Sequence, residues 1–190
     1  ADRTRRLVAY QDDAYAQRYW ERVERARAKD DALDAGGALA RAVARSYYKL
    51  LAHKDEFEVA RLYSSPEFRR QLEAQFEGDF SVRFQIGTWP FGRLDASGRP
   101  VKREIGSWAL SAMRVLQGLR AVRGTWLDPW RHLPERQLAR RLLADYEQDL
   151  ELIFANPAAA SDAIALAALP EKIRGYGHVK EKSLAAAREL

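Results

Sequence analysis

The chain has no cysteine, a single methionine (Met113) and no long apolar run. Without cysteine these residues form no disulfide, thiol nucleophile or zinc–thiolate site, and they ligate no iron–sulfur cluster. A reducing, cytoplasmic setting is the expectation. No initiator methionine is present, so an excised domain of a longer protein is expected. A membrane-spanning helix needs about 20 apolar residues in succession, and no segment approaches that. The opening ADRTRR leads straight into a helical pattern without the apolar centre of a signal peptide. Glycine-rich phosphate loops, Gly-x-Ser-x-Gly, His-Glu-x-x-His and the calcium loop are all missing. A strong excess of one charge is missing too. There are 32 basic and 27 acidic residues, interspersed, for a net charge of +5. That pattern argues against a dedicated nucleic-acid binder, which concentrates positive charge on one face or tail.

What is present is enough for a core. Of 190 residues, 47% are hydrophobic, and a chain of this size buries roughly 70% of its unfolded surface. Apolar residues recur at three- and four-residue steps along most of the length. Leu7, Val8, Tyr15, Tyr19, Val23 and Ala26 share one face of an expected helix over 4–29, with Arg5, Gln11, Arg18, Arg22 and Arg25 on the other. Gly36-Gly37 breaks the pattern. A second helix is expected over 38–63, packed antiparallel to the first, with Leu39, Val43, Tyr47, Leu50, Leu51, Phe57 and Leu62 facing inward. Ser65-Pro66-Glu67 is a helix start in which each residue suits its position: cap, first turn and dipole. Its helix runs to Glu77 and stops at Gly78.

Over 80–86 the period becomes two, with Phe80, Val82, Phe84 and Ile86 alternating with polar residues. A turn at 95–98 and a returning strand over 101–105 complete a small hairpin insertion at 80–105, which leans on helices through Phe80, Phe84 and Trp89. Ser107 is expected to cap a helix to Val122 that closes at Gly124. Pro134 opens a helix to Phe154 with Leu138, Leu142, Tyr146, Leu150 and Ile153 inward. Asn156-Pro157 starts an alanine-rich helix ending before Pro170, and a last helix opens at His178. The fold class is therefore mainly α, a multi-helix bundle with one small β-hairpin.

The chemistry-bearing residues are few. Each histidine has a glutamate three residues on (His53/Glu56, His132/Glu135, His178/Glu181), half of a metal site at best, with capping or surface hydrogen bonding the plainer reading. The run His53-Lys54-Asp55-Glu56 with Glu58 and Arg61 is either an ion network gripping a neighbouring domain or a solvated helix face. Arg103, Glu104 and Trp108 flank a helix N-terminus, where an anion is favoured. Arg123, Trp126, Asp128 and Trp130 offer a guanidinium–indole pair, although core packing is the commoner use of tryptophan.

Four stretches carry more information: YYKLLAHKDEFEVARLY at 47–63, QFEGDFSVRF at 75–84, RGTWLDPW at 123–130 and LPEKIRGYGHVKE at 169–181. In the last, Gly175 and Gly177 bracket Tyr176 just before His178. Together these stretches resemble the C-terminal region of the fused, single-chain indolepyruvate:ferredoxin oxidoreductases, a branch of the 2-oxoacid:ferredoxin oxidoreductases. The resemblance covers nearly the whole chain. It implies a parent enzyme that oxidatively decarboxylates aryl-pyruvates to acyl-coenzyme A, reduces ferredoxin, and uses thiamine diphosphate, magnesium and [4Fe–4S] clusters. None of those cofactor motifs falls here: Gly78-Asp79 is followed by Phe80, unlike the family's Gly-Asp-Gly. No catalytic residue and no cofactor is expected within the chain itself. The implied role is that of an accessory domain contacting other domains of the parent, a second copy of itself and, through the parent, ferredoxin. The expected contact patch is Lys54, Asp55, Glu56, Arg61, Trp126, Asp128, Arg174, Tyr176, Gly177 and His178. The alternative is an independent helical module for an acidic partner or nucleic acid.

Overall fold

Two aspartates decide where the early helices break. In the computed structural model, which describes residues 2–87, 92–96, 100–156 and 159–173, the expected first helix is two: α1 (Asp2–Tyr10) and α2 (Asp13–Ala32). Asp12 is extended, and its Oδ1 accepts the Tyr15 N–H at 2.7 Å. An aspartate that offers a local acceptor to the backbone starts a new helix more readily than it continues an old one. The expected second helix divides the same way into α3 (Ala38–Leu51) and α4 (Glu56–Ser64). Asp55 is again extended and accepts the Glu58 N–H at 2.7 Å.

The chain forms two compact units, Ala1–His53 with Val122–Leu190, and Lys54–Ala121. The first unit holds α1, α2, α3, α7 (Pro134–Ala155) and α8 (Ala160–Lys172). α2 and α3 run antiparallel, as expected. The Tyr15 hydroxyl donates to Leu51 O, the Tyr19 hydroxyl to Ala44 O, and Asp30 receives the N–H groups of Gly37 and Ala40. Leu7, Leu39, Val43, Tyr47, Leu51, Tyr146, Leu150 and Ile153 make the core with small alanines of α2, α3 and α8. Three of its large residues are tyrosines, with Tyr19 and Tyr47 stacked at 6.1 Å. A buried phenol needs an acceptor, and each finds one on another helix: Ala44 O, Glu147 and Ala167 O.

α8 does not stop before Pro170 but runs through it to Lys172. Proline in the last turn forfeits only one backbone bond. The Lys49 ammonium reaches across from α3 to the carbonyls of Pro170, Glu171 and Ile173 at 2.9, 3.3 and 2.7 Å, where a cation suits the negative end of the dipole. Lys49→Ala is expected to cost about 1 kcal/mol, read as a shift of the urea midpoint without a change in slope.

The second unit holds α4, α5 (Pro66–Gln75), four short strands and α6 (Ala109–Gly118). Ser65 caps α5 as expected, accepting the Phe68 N–H at 3.2 Å, with Pro66 at the first helical position. The helix ends at Gln75, short of Glu77. β1 (Phe84–Ile86) pairs antiparallel with β4 (Arg103–Ile105), Phe84 opposite Ile105 and Ile86 opposite Arg103. Between them β2 (Arg93–Leu94) pairs with β3 (Pro100–Val101). The hairpin is thus present but starts at Phe84, not Phe80. Phe80 is exposed and leans on Phe76, so it is not an inward anchor. Phe84 is, packing with Ala60, Ile105, Ala109 and Met113; Trp89 lies outside the described residues. Leu62, expected inward, is exposed, because the break at 52–55 resets the helical phase. Ser107 does not cap α6: the N-cap is Trp108, without a side-chain bond. α6 ends at Gly118, and a 3-10 turn at Arg120–Val122 replaces its expected last turn.

Candidate functional site

The arginines expected on the solvent face of the first helix line a seam with α7. Arg18 grips Glu147 with two bonds of 2.8 and 2.6 Å, and Arg25 grips Glu151 with two of 2.8 and 2.7 Å. Arg22 adds a 2.7 Å pair to Glu151, and Lys29 donates to Asn156 O at 2.8 Å. Spacings of four and seven on α2 meet a spacing of four on α7, so one face of each helix supplies the row. Burial by itself raises the Glu147 carboxyl, but hydrogen bonds from Arg18 and Tyr47 outweigh it and hold it below the usual carboxylate range. The Arg25 bond holds Glu151 low as well. Exposed pairs of this kind contribute about 0.2–1 kcal/mol each. Glu147 differs because the Tyr47 hydroxyl, on a fully buried residue, also donates to it.

A second polar cluster in the same unit surrounds the end of α1. The Arg123 guanidinium lies 3.7 Å from the centre of the Tyr10 ring and donates to Tyr10 O. The expected partner was an indole; a ring 113 positions away takes its place. The Tyr10 hydroxyl donates to His53 O at 3.2 Å, and Arg136 Nη1 stands 3.0 Å from His53 Nε2. A guanidinium only donates, so His53 Nε2 is the acceptor of this contact. Arg123, Arg136 and Trp130 are all buried.

Next to this cluster the chain makes a braced loop. Asp128, itself buried, accepts the Gly124 N–H at 2.8 Å and the Trp130 N–H at 3.0 Å. Gly124 has φ +74°, the left-handed region that favours glycine. Trp126 stands at the tip with 79% of its surface exposed. Core packing therefore holds for Trp130 and fails for Trp126.

The expected contact patch is distributed over both units. Trp126 and Asp128 share the loop, where Asp128 is a loop brace, not a contact group. Lys54, Asp55, Glu56 and Arg61 lie at the start of α4 and along it. Lys54 is exposed and precedes the helix, and Glu58 holds Arg61 through two bonds of 2.7 Å. Asp55 is buried as the α4 cap, and Glu56 is half-buried in its first turn. Arg174, Tyr176, Gly177 and His178 lie outside the described residues.

No group of three or more His, Asp or Glu side chains among the described residues is arranged to hold a metal. The chain offers no thiolate to a cluster, and Gly78-Asp79 closes the turn after α5 with φ +78° at Gly78. An open groove of about 390 Å³ in the first unit is lined by Asp2, Arg3, Thr4, Tyr19, Trp20 and Val23. Among its polar groups, the Tyr19 hydroxyl donates to Ala44 O, the Arg3 guanidinium lies over the Tyr48 ring and Asp2 pairs with Arg6. No helix among the described residues is long and apolar enough to cross a membrane.

Fold and site together describe a mainly helical protein whose buried polar side chains fasten helix ends, helix pairs and one loop. A family model matches residues 1–190, and the chain belongs to that family, described as a family of unknown function, DUF6537. No curated protein and no solved structure matches the chain.

Proposed function

We propose that this chain is an accessory domain of a cytoplasmic indolepyruvate (2-oxoacid):ferredoxin oxidoreductase, acting by contact and inactive alone. One observation carries the non-catalytic part. The buried charged groups Asp30, Asp128, Arg123 and Arg136, and the half-buried Glu147, are all engaged by backbone groups or side chains of their own unit. Groups held this way brace a scaffold; a catalytic group has to face a substrate. The parent's identity is supported by the four stretches quoted above. In that parent, thiamine diphosphate, magnesium and [4Fe–4S] clusters would be held by other domains, and ferredoxin would be met through them.

The test has two arms. Upstream codons in the genomic reading frame are expected to encode thiamine- and cluster-binding motifs. The purified chain is expected to release no carbon dioxide from an aryl-pyruvate in the presence of coenzyme A and oxidised ferredoxin. Turnover by the purified chain, or a start codon just before Ala1, would sink the reading.

A further inference from the structure

We infer that the loop over 124–133 is a rigid knob that docks on an acidic protein surface carrying an apolar pocket. The inference rests on the contact reading above and names the chemistry of the partner. The loop is braced at both ends and through its middle. Besides the two Asp128 bonds, Thr125 Oγ1 donates to Val122 O at 2.7 Å and accepts the Leu127 N–H at 3.2 Å. Backbone bonds run from Asp128 N to Thr125 O, Arg131 N to Asp128 O and Leu133 N to Trp130 O. Pro129 fixes one φ, and buried Trp130 roots the loop. A loop held this firmly cannot fold over to hide its tip. Yet the tip presents Trp126 and Leu127, the latter 54% exposed. Preformed aromatic anchors lose little entropy on binding and dominate interface energetics.

Charge selects the partner. Residues 122–141 carry five arginines and two acids, and with Arg123 and Arg136 buried the arginines that reach the surface are Arg131, Arg140 and Arg141. One of the two acids, Asp128, is buried and occupied. Arg140 Nη2 donates to Arg131 O at 2.7 Å, which sets Arg140 against the rim of the loop. Arg140 and Arg141 are exposed and have no acidic partner among the described residues. Guanidinium groups bind carboxylates in paired geometry. Single-stranded nucleic acid is the weaker fit, because it stacks on successive aromatic rings, and the exposed neighbour of Trp126 is the aliphatic Leu127.

The test uses the whole chain and a labelled acidic peptide of about 15 residues with a Leu-Phe-Leu centre, followed by fluorescence anisotropy. Affinity is expected to fall about tenfold in Trp126→Ala, and several-fold in Arg140→Glu/Arg141→Glu and in a peptide with a serine centre, with circular dichroism unchanged. High salt is expected to weaken binding. Equal affinity for Trp126→Ala overturns the inference. So does tighter, Trp126-dependent binding of an oligouridylate, or a Trp126-dependent dimer in sedimentation. If Trp126 proves irrelevant while the chain lacks turnover and still binds the rest of its parent, only the knob falls. If the chain turns over substrate, the contact reading falls, whatever the loop does.

Discussion

Asp30→Ala is expected to cost about 3 kcal/mol of folding free energy, because one carboxylate holds the start of a helix that cannot cap itself. α3 begins after Gly37, which has φ +79° and no side chain to offer the exposed N–H groups. Asp30, near the end of α2 and 2% exposed, supplies the missing acceptor from outside the helix. Its Oδ1 is 2.5 Å from Gly37 N and its Oδ2 2.9 Å from Ala40 N. Charge-assisted bonds contribute about 1.5–3 kcal/mol each when desolvated, and the carboxylate also faces the positive end of the α3 dipole. Alanine leaves two half-buried N–H groups without this acceptor. Asp30→Asn keeps one oxygen and is expected to cost about half as much. Urea denaturation followed by circular dichroism gives the ranking. A loss under about 1 kcal/mol for Asp30→Ala would mean that the carboxylate does not hold α3 in place.

Local signals of this kind were the legible part of the sequence. Ser65-Pro66-Glu67 places every determinant of a helix start within three residues, and the structure follows it. Asp55 with Glu58 three residues on is a readable cap as well, but apolar residues recur in step on both sides of it, and that continuity hid the break. Asp12 was hidden the same way. Periodicity states that a face is apolar; it does not state that the face belongs to one helix. The seam shows the reverse limit. Arg18, Arg22 and Arg25 read as a solvent face because nothing nearby in sequence reveals that Glu147 and Glu151, about 126 to 129 positions away, come to meet them. The pairing of Arg136 with His53 spans 83 positions and leaves no local trace. Trp126 was legible as a member of the contact patch and, equally, as a core residue; the bracing by Asp128 next to it depends on loop geometry. What sequence conveys is the local cost of each backbone choice; distant acceptors for buried donors are chosen by the fold.

The largest coupling is expected between Tyr47 and Glu147. Tyr47 is fully buried, and its hydroxyl donates to Glu147 Oε1, the oxygen that Arg18 Nε also holds at 2.8 Å. Glu147→Ala strands a buried hydroxyl and unpairs Arg18, at about 3 kcal/mol. Tyr47→Phe removes the hydroxyl with its need for a partner and leaves the Arg18 pair intact, at about 1 kcal/mol. Once the hydroxyl is gone, deleting its acceptor costs less, so the double variant is expected to fall short of the sum by about 1–2 kcal/mol. Additive losses would show that the two groups do not share a bond. The same pair contributes to both ends of the pH profile. The Glu147 carboxyl is held below its ordinary value near 4.5, so its contribution is complete above that pH and disappears as pH falls through the lowered value. Burial, and then the bond to Glu147, push the Tyr47 hydroxyl above its ordinary value of 10.0, so its contribution is complete below pH 10 and disappears as pH rises further. Glu147→Gln is therefore expected to flatten the acid limb, and Tyr47→Phe the alkaline one. The alkaline limb does not vanish, because burial also raises Tyr146, whose hydroxyl donates to Ala167 O at 2.9 Å. An alkaline limb unchanged in Tyr47→Phe would move the titration to the other raised tyrosines, Tyr19 and Tyr146, and deny Tyr47 its place in the seam.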